Sequence, residues 1–325
     1  MKTAEPLLKV EQLKKYFVSR KQFLGSSAKV VKAVDGISFE ISKGGTLGVV
    51  GESGCGKSTL GRAILRLHEP DSGSVIYDGE DLLSLDKKTM RDYRQKLQII
   101  FQDPYASLNP RMTVKELICA SLDVFEIGIK QERVDRVLDI MEKVGLPLEY
   151  LNRYPHEFSG GQRQRIMIAR ALVLNPDFVV CDEPVSALDV SVRAQVLNLM
   201  RDLQQEFSLT YMFISHDLSV VRYLCDRVMV MYLGKVMEIA TKDELYSNAK
   251  HPYTQALLSS IPIPDVDASK ERIHLSGDVP SPFNPPSGCR FHTRCVYAKP
   301  ECAEYVPELR DTGGGHMVAC HFCKD

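Results

Sequence analysis

Between about Leu7 and Ile239, short apolar runs alternate with longer segments of helical period, the pattern of a layered α/β core. Thr46 to Val50 reads as a buried strand, Gly51 to Gly56 as a loop, and Lys57 to Leu67 has the apolar spacing of a helix. Further strands are expected at Leu97 to Phe101, Phe178 to Cys181, Tyr211 to Ser215 and Arg227 to Tyr232, each bounded by polar or turn-forming residues. Helices are expected over Val114 to Leu122, Gln131 to Val144, Gly161 to Leu174 and Val192 to Phe207. The helix-rich stretch from about Asp103 to Leu174 reads as an inserted lobe (103–174). Pro262, Pro264, Pro280, Pro282, Pro285 and Pro286 then break regular structure. A boundary is placed near Ile263, giving a domain over 1–262 and an extension over 263–325. No self-similarity appears at a period of roughly 20 to 50 residues, which sets solenoids aside.

Composition narrows the partners. The 41 Lys and Arg nearly cancel the 42 Asp and Glu, and the formal net charge of -1 argues against a nucleic-acid binder that relies on bulk positive charge. No window approaches the roughly 18 apolar residues of a membrane span. The segment Met1 to Lys15 is charged and has no apolar centre. A cytosolic chain is expected. Cys55, Cys119, Cys181 and Cys225 are scattered, whereas Cys289, Cys295, Cys302, Cys320 and Cys323 crowd into the last stretch.

Three motifs carry chemistry. Gly51-Glu-Ser-Gly-Cys-Gly-Lys-Ser58 places two glycines four residues apart before Lys and Ser, between a strand and a helix. Glycines let backbone N–H groups wrap a phosphate, the helix start adds a favourable dipole, and Lys57 supplies a point charge for the outer phosphates. The Ser58 hydroxyl is suited to magnesium. A second apolar strand ends in Cys181-Asp182-Glu183-Pro184. There Asp182 can serve the magnesium shell while Glu183 polarises an attacking water, since phosphoryl transfer depends on positioning and charge stabilisation. The third motif, Phe158-Ser159-Gly160-Gly161-Gln162-Arg163-Gln164-Arg165, closely resembles the signature of ATP-binding cassette (ABC) proteins, with Phe158 where the family more often has Leu. Phe101-Gln102-Asp103, Ser186-Ala187-Leu188-Asp189 and Ser215-His216-Asp217 follow the same resemblance in order.

That resemblance implies an α/β fold with a RecA-like P-loop core, an antiparallel β subdomain and an inserted helical lobe. It implies ATP contacts from Phe17, Gly51, Ser53, Gly54, Cys55, Gly56, Lys57, Ser58 and Thr59. Ser159, Gly160, Gly161, Gln162 and Asp189 would meet ATP across a head-to-tail pair of cassettes. Glu183, His216 and Gln102 become the catalytic set, and Ser58, Gln102 and Asp182 the magnesium ligands. Phe17 resembles the aromatic that stacks on adenine, and spacing leaves the adjacent Tyr16 open beside it. His68 and His156 stand apart from any such set.

Three stretches narrow the resemblance: Val50 to Lys57, Phe101 to Pro110 and His251-Pro-Tyr-Thr254 are similar to the ATPase subunits of dipeptide and oligopeptide importers. Implied partners are two membrane permeases, an extracytoplasmic substrate-binding protein and a second ATPase subunit, in a heterodimer or a homodimer. The chain would then sit at the cytoplasmic face of the membrane. Related importers carry nickel, glutathione or other small solutes, so these stay open beside peptides. The alternative reading is a soluble ABC ATPase acting on nucleic acid or ribosomes; balanced charge and a single cassette argue against it.

The tail resembles one that holds a 4Fe-4S cluster in peptide-importer ATPases, and four thiolates can close such a site. Cys289, Cys295, Cys302 and Cys320 are the expected ligands, with Cys323 in reserve. His292, His316 and His321 keep zinc as an alternative. Clustered cysteines in a cytosolic chain suggest a metal more than disulfides.

Overall fold

The structure is a computed structural model that describes residues 6–18, 29–261, 273, 275 and 277–323. Its strands are β1 (Pro6–Val18), β2 (Val30–Ser42), β3 (Thr46–Val50), β4 (Ser72–Tyr77), β5 (Glu80–Asp81), β6 (Leu97–Ile100), β7 (Phe178–Asp182), β8 (Thr210–Ile214), β9 (Arg227–Tyr232), β10 (Lys235–Thr241), β11 (Arg310–Asp311) and β12 (Met317–Val318). The helices are α1 (Lys57–Ile64), α2 (Lys87–Tyr93), α3 (Pro104–Ser107), α4 (Val114–Val124), α5 (Lys130–Lys143) and α6 (Gly160–Leu172). They continue with α7 (Val190–Phe207), α8 (Leu218–Leu224), α9 (Lys242–Ser247), α10 (Pro252–Ser259) and α11 (Pro300–Glu304).

The expected strands and helices are present with ends shifted by no more than two residues, save the first helix, which stops at Ile64 rather than Leu67. Arg66 takes a left-handed conformation there. The Leu67 N–H bonds back to the Arg62 carbonyl and that of Arg66 to Ala63, a helix-ending pattern that glycine usually signals. With arginine in that place, the apolar spacing runs on past the true end.

Contacts divide the chain into two units. The first comprises residues 6–7, 41–46 and 84–214. Its strands run parallel in the order β6-β7-β8, and β7 and β8 are buried throughout, which is why they read as unbroken apolar runs. Helices α4, α5 and α6 pack on one another, and α6 also meets α3, β6 and α7. Leu117, Ile118 and Leu122 of α4 join Val137, Ile140 and Met141 of α5 and Ile166 and Met167 of α6 in this core. Thr113 and Glu116 close α4 with a reciprocal capping box, satisfying donors that the helix start leaves over.

The second unit comprises residues 8–40, 47–83 and 215–323 as far as described. One sheet has the order β2-β1-β4-β5, with β1–β4 and β4–β5 antiparallel, the expected β subdomain. The charged strand β1 escaped the pattern of alternation because it bulges: Leu8 and Val10 are buried, then the register shifts between Glu11 and Lys14, with Gln12 at φ 46°, and Leu13 turns inward. Elsewhere in this unit β3 runs parallel to β9, β9 antiparallel to β10, and β10 antiparallel to β12. At Gly48 of β3 a Cβ would lie 2.5 Å from Val221 Cγ1, so α8 packs directly on the strand's backbone.

The boundary near Ile263 falls outside the described residues. The described tail is tied into the second unit rather than standing apart: β11 and β12 extend its sheet, and the Ala319 N–H donates to the Met237 carbonyl. Glu238 of β10 is wholly buried, yet satisfied. It accepts from the Lys250 and His251 N–H groups at 2.8 and 3.1 Å, and His316 Nε2 lies 2.6 Å from its Oε1. Among the described residues no helix is long and apolar enough to cross a membrane.

His251 begins α10 as its cap, Nδ1 accepting from the Tyr253 N–H at 3.0 Å, and burial pushes its pKa down to about 3. In the unfolded chain it titrates near 6.5. As pH falls below about 6.5 the unfolded chain takes up a proton that the folded one refuses, so stability falls by up to about 1.4 kcal/mol per pH unit until the folded pKa is reached. His251→Asn keeps a capping oxygen and removes the titration; denaturation of the two proteins at pH 7 and pH 5 should show a shallower loss in the variant.

Candidate active site

In the second unit the buried strand β3 ends at Val50 and α1 begins at Lys57, with the glycine loop between. Gly51, Gly54 and Gly56 hold φ of 149°, 78° and 107°. A Cβ on Gly51 would sit 2.1 Å from the Met231 carbonyl oxygen, and one on Gly56 2.0 Å from that of Ala33. A Cβ on Gly54 would have no neighbour within 4 Å. Two glycines thus press the loop onto β9 and β2, while the third lies on its open side. No side chain caps α1, so its start keeps the character of an anion site.

Lys57 is buried and folds back on the loop. Its Nζ donates to the Gly51 and Glu52 carbonyls at 2.7 and 3.0 Å and lies 3.8 Å from Cys55 Sγ. Burial pushes the Cys55 thiol pKa up. The loop is also held from behind: the Gly234 N–H donates to the Cys55 carbonyl at 2.8 Å and the Glu52 N–H to the Tyr253 hydroxyl at 3.0 Å. Arg294 Nη1 meets Glu52 Oε2 at 2.7 Å. Of the two candidate aromatics, Tyr16 donates its hydroxyl to Asp35, and burial together with that carboxylate pushes its pKa up to about 12. The Phe17 ring is 38% exposed, with His68 edge-on at 5.5 Å. His216 follows β8 on an exposed position, where Asp217 caps α8 through the Ser219 N–H at 2.9 Å.

In the first unit β7 delivers Asp182 at its buried end. Glu183 follows at φ 48°, a left-handed conformation that costs a non-glycine residue of order 1–3 kcal/mol. Its N–H donates to the Ile214 carbonyl at 3.0 Å, and its carbonyl accepts from Ser186 Oγ at 3.0 Å. These bonds hold the turn. Gln102 Nε2 donates to Glu183 Oε2 at 3.0 Å, so two of the residues expected to be catalytic are in direct contact.

The signature opens α6. Ser159 Oγ accepts from the Gln162 N–H at 3.4 Å and Gln162 Oε1 from the Ser159 N–H at 3.0 Å, a capping box that places Ser159 at the helix start. Asp189, exposed, begins α7 without a side-chain capping bond. Two arginines fasten α6 to the segment after Gln102. The Arg163 guanidinium lies 3.9 Å from the Tyr105 ring centre, and Arg170 Nη1 donates to the Ser107 carbonyl at 2.6 Å. A change around Gln102 is therefore mechanically linked to the signature helix.

The remaining expected residue sets lie in the tail. Cys289, Cys295, Cys302, Cys320 and Cys323 line one cavity of about 600 Å³ with His292 and His321; His316 is instead committed to Glu238. Burial pushes Cys289 up to about 11, and the neighbouring Cys302, Cys320 and Cys295 add to it. Among the described residues no group of three His, Cys, Asp or Glu is gathered closely enough to hold a single metal ion.

A strand, a glycine loop and a helix, with strand-end carboxylates and a glycine-opened helix, define a P-loop ATPase core of cassette type. The ABC transporter family profile matches residues 34–186, and a profile described as oligopeptide/dipeptide transporter, C-terminal region, matches residues 237–302. The oligopeptide transport ATP-binding protein AppF of Bacillus subtilis is 54% identical over 321 residues, covering 98% of each chain. The dipeptide transport ATP-binding protein DppF of Escherichia coli is 54% identical over 316 residues, covering 97% of this chain and 94% of its own. Among solved structures, an ATP-binding cassette dimer in a post-hydrolysis state bound to ADP and Pi superposes with a TM-score of 0.64 at 28% identity, covering 72% of this chain and 98% of that one. A cbiO1 cassette of Clostridium perfringens gives 0.64 at 26% identity over 75% and 91%. The chain belongs to the ABC transporter ATPases, in the branch of peptide-transport ATP-binding proteins, and its cassette hydrolyses ATP.

Glu52, Tyr253, Arg290 and Arg294 were not among the residues expected to matter. Arg294 and Glu52 are 242 positions apart, so no spacing announces the pair. Tyr253 carried only a family likeness.

Gly161 offers a test of the signature's packing. A Cβ there would lie 2.4 Å from Cγ1 of Val192, a stiff β-branched side chain. Alanine should gain about 1 kcal/mol of helix propensity and lose about 1–3 kcal/mol to overpacking. Gly161→Ala should lower the melting temperature, and adding Val192→Ala should restore it.

Proposed function

We propose that this chain powers the uptake of dipeptides and oligopeptides through two separate permease subunits, fed by an extracytoplasmic substrate-binding protein. The observation that carries this reading is identity of 54–55% to peptide-transport ATP-binding proteins along 97–98% of the chain, continued into the tail by the matching C-terminal region. Partnership with a second, non-identical cassette subunit at the cytoplasmic face of the membrane goes with it.

In this reading the residues divide the work. Gly51, Ser53, Gly54, Cys55, Gly56, Lys57, Ser58 and Thr59 hold the ATP phosphates, and Phe17, whose ring is exposed while Tyr16 is committed to Asp35, stacks on the base. Glu183 polarises the attacking water, Gln102 orients it and His216 bonds the γ-phosphate. Ser58, Gln102 and Asp182 are hard oxygen donors suited to magnesium, which when bound screens phosphate charge. Ser159, Gly160, Gly161, Gln162 and Asp189 serve the ATP of the facing cassette, the start of α6 lending its positive end. Lys57 leaves the loop carbonyls for the phosphates when nucleotide enters.

The cysteine cavity is assigned to a 4Fe-4S cluster held by Cys289, Cys295, Cys302 and Cys320, with a structural role. Tetrahedral zinc needs sulfurs about 3.8 Å apart. No such gathering of three ligands occurs among the described residues, whereas a cluster would take its four ligands from thiolates spread around a cavity of about 600 Å³. Full-length protein purified without oxygen should carry about four irons with matching sulfide and visible absorption, reduced by Cys295→Ser; a colourless, iron-free product would overturn the assignment.

Glu183→Gln should keep MgATP binding and lose turnover by at least about a hundredfold, whereas Lys57→Ala should lose binding. Near-normal hydrolysis by purified Glu183→Gln complex removes Glu183 from its role. Affinity isolation from gently solubilised membranes should bring down two permeases and a second cassette; recovery with ribosomes or DNA instead would contradict the importer reading.

A further inference from the structure

The second unit holds a chain of contacts that the ATPase reading leaves unused. Arg294 lies in the short segment between Cys289 and Cys295, and its side chain is 8% exposed. Nη1 meets the Glu52 carboxylate at 2.7 Å and the Tyr232 hydroxyl at 3.4 Å. Glu52 is the second residue of the phosphate loop, and its N–H is taken by Tyr253. Tyr232, Tyr253 and Phe291 pack ring against ring with centroids 4.8 to 5.4 Å apart. Arg290, in the same segment, donates to the Leu233 carbonyl and to Asp35, beside the Gly234 N–H that holds Cys55.

We propose that Arg294 is a positioning residue for the phosphate loop, acting through Glu52, and that it makes the cysteine segment part of the nucleotide site's support. The proposal rests on the glycine loop being the ATP phosphate site. Two physical effects give Arg294 this role. Glu52 carries a negative charge inside a loop that must receive a polyanion, and the guanidinium offsets it at hydrogen-bond distance. The same bond fixes the loop's entry side, so less conformational entropy is lost there when ATP binds. The face toward the ligand is thereby left to backbone N–H groups and Lys57. Nothing in this arrangement touches the reacting atoms, so the effect falls on affinity for MgATP and not on the chemical step.

The test uses the full-length protein, with MgATP affinity and steady-state hydrolysis measured for Arg294→Met, Arg294→Lys, Glu52→Gln, Glu52→Asp and the double variant Glu52→Gln/Arg294→Met. Arg294→Met should raise KM and Kd for MgATP about tenfold, as expected for stranding one partner of a charged hydrogen bond, with kcat within about twofold of wild type. Arg294→Lys should recover most of the loss. The double variant should bind MgATP more tightly than Arg294→Met alone, because the stranded carboxylate is gone. A merely structural arginine predicts another pattern: a lower melting temperature with KM unchanged, or losses that add in the double variant, and either result overturns the proposal. If Arg294→Met fails to fold, Glu52→Asp, which leaves the tail intact and keeps the charge while shortening its reach to Arg294, decides the matter: a KM raised about threefold or more supports the role, and an unchanged KM ends it. Lys57→Ala runs alongside as a control for the reading beneath; wild-type MgATP affinity in that variant removes the loop as the phosphate site, independently of Arg294.

Discussion

Backbone contact without side chains is the constraint on which the nucleotide machinery depends. At Gly51 and Gly56 the carbonyls of Met231 and Ala33 stand where a Cβ would be. The loop can therefore lie flat on β9 and β2 only if those positions carry no side chain and tolerate positive φ. Once it lies there, its orientation follows from the sheet beneath. Lys57 is brought back over the Gly51 and Glu52 carbonyls, which gives its charge a buried resting place. The signature repeats the device in the first unit, where Gly161 allows Val192 of α7 to approach α6. In both places glycine is retained against its entropic cost for the sake of closeness.

The carboxylate end of β7 solves a different problem. Asp182 is buried in line with its strand, but Glu183 must leave that line, and it does so through a left-handed residue held by the Ile214 carbonyl and Ser186. The strain is local and over-determined, as expected where a side chain is aimed for chemistry. Contact with Gln102 and the two arginine links from α6 to the segment after it join the Glu183 carboxylate, proposed as catalytic, to the helical part of the same unit.

Much of this was legible in the sequence, for reasons that differ by element. The parallel strands β7 and β8 are buried along their whole length and so announce themselves as apolar runs. The phosphate loop, the strand-end acids and the signature are local motifs, readable because the chemistry needs those residue types at short spacing. What escaped was non-local or masked. β1 hid behind a bulge at Gln12, and the end of α1 behind an arginine doing a glycine's work at position 66. Glu238 would be an unlikely strand-core residue without His316 from 78 positions away. The bracing of the loop by Arg294 and Tyr253 depends on pairs more than 200 residues apart, which only the folded chain brings together.

The central claim is that ATP consumed by this chain moves peptides across a membrane. Its most direct test is uptake of a labelled dipeptide or oligopeptide by proteoliposomes holding this chain, its permeases and its partner cassette, with the substrate-binding protein on the far side. Accumulation that requires MgATP on the side of this chain and stops when the chain is omitted is the predicted result. Peptide movement that proceeds equally without this chain, or a complex that accumulates another solute and ignores peptides, would contradict it.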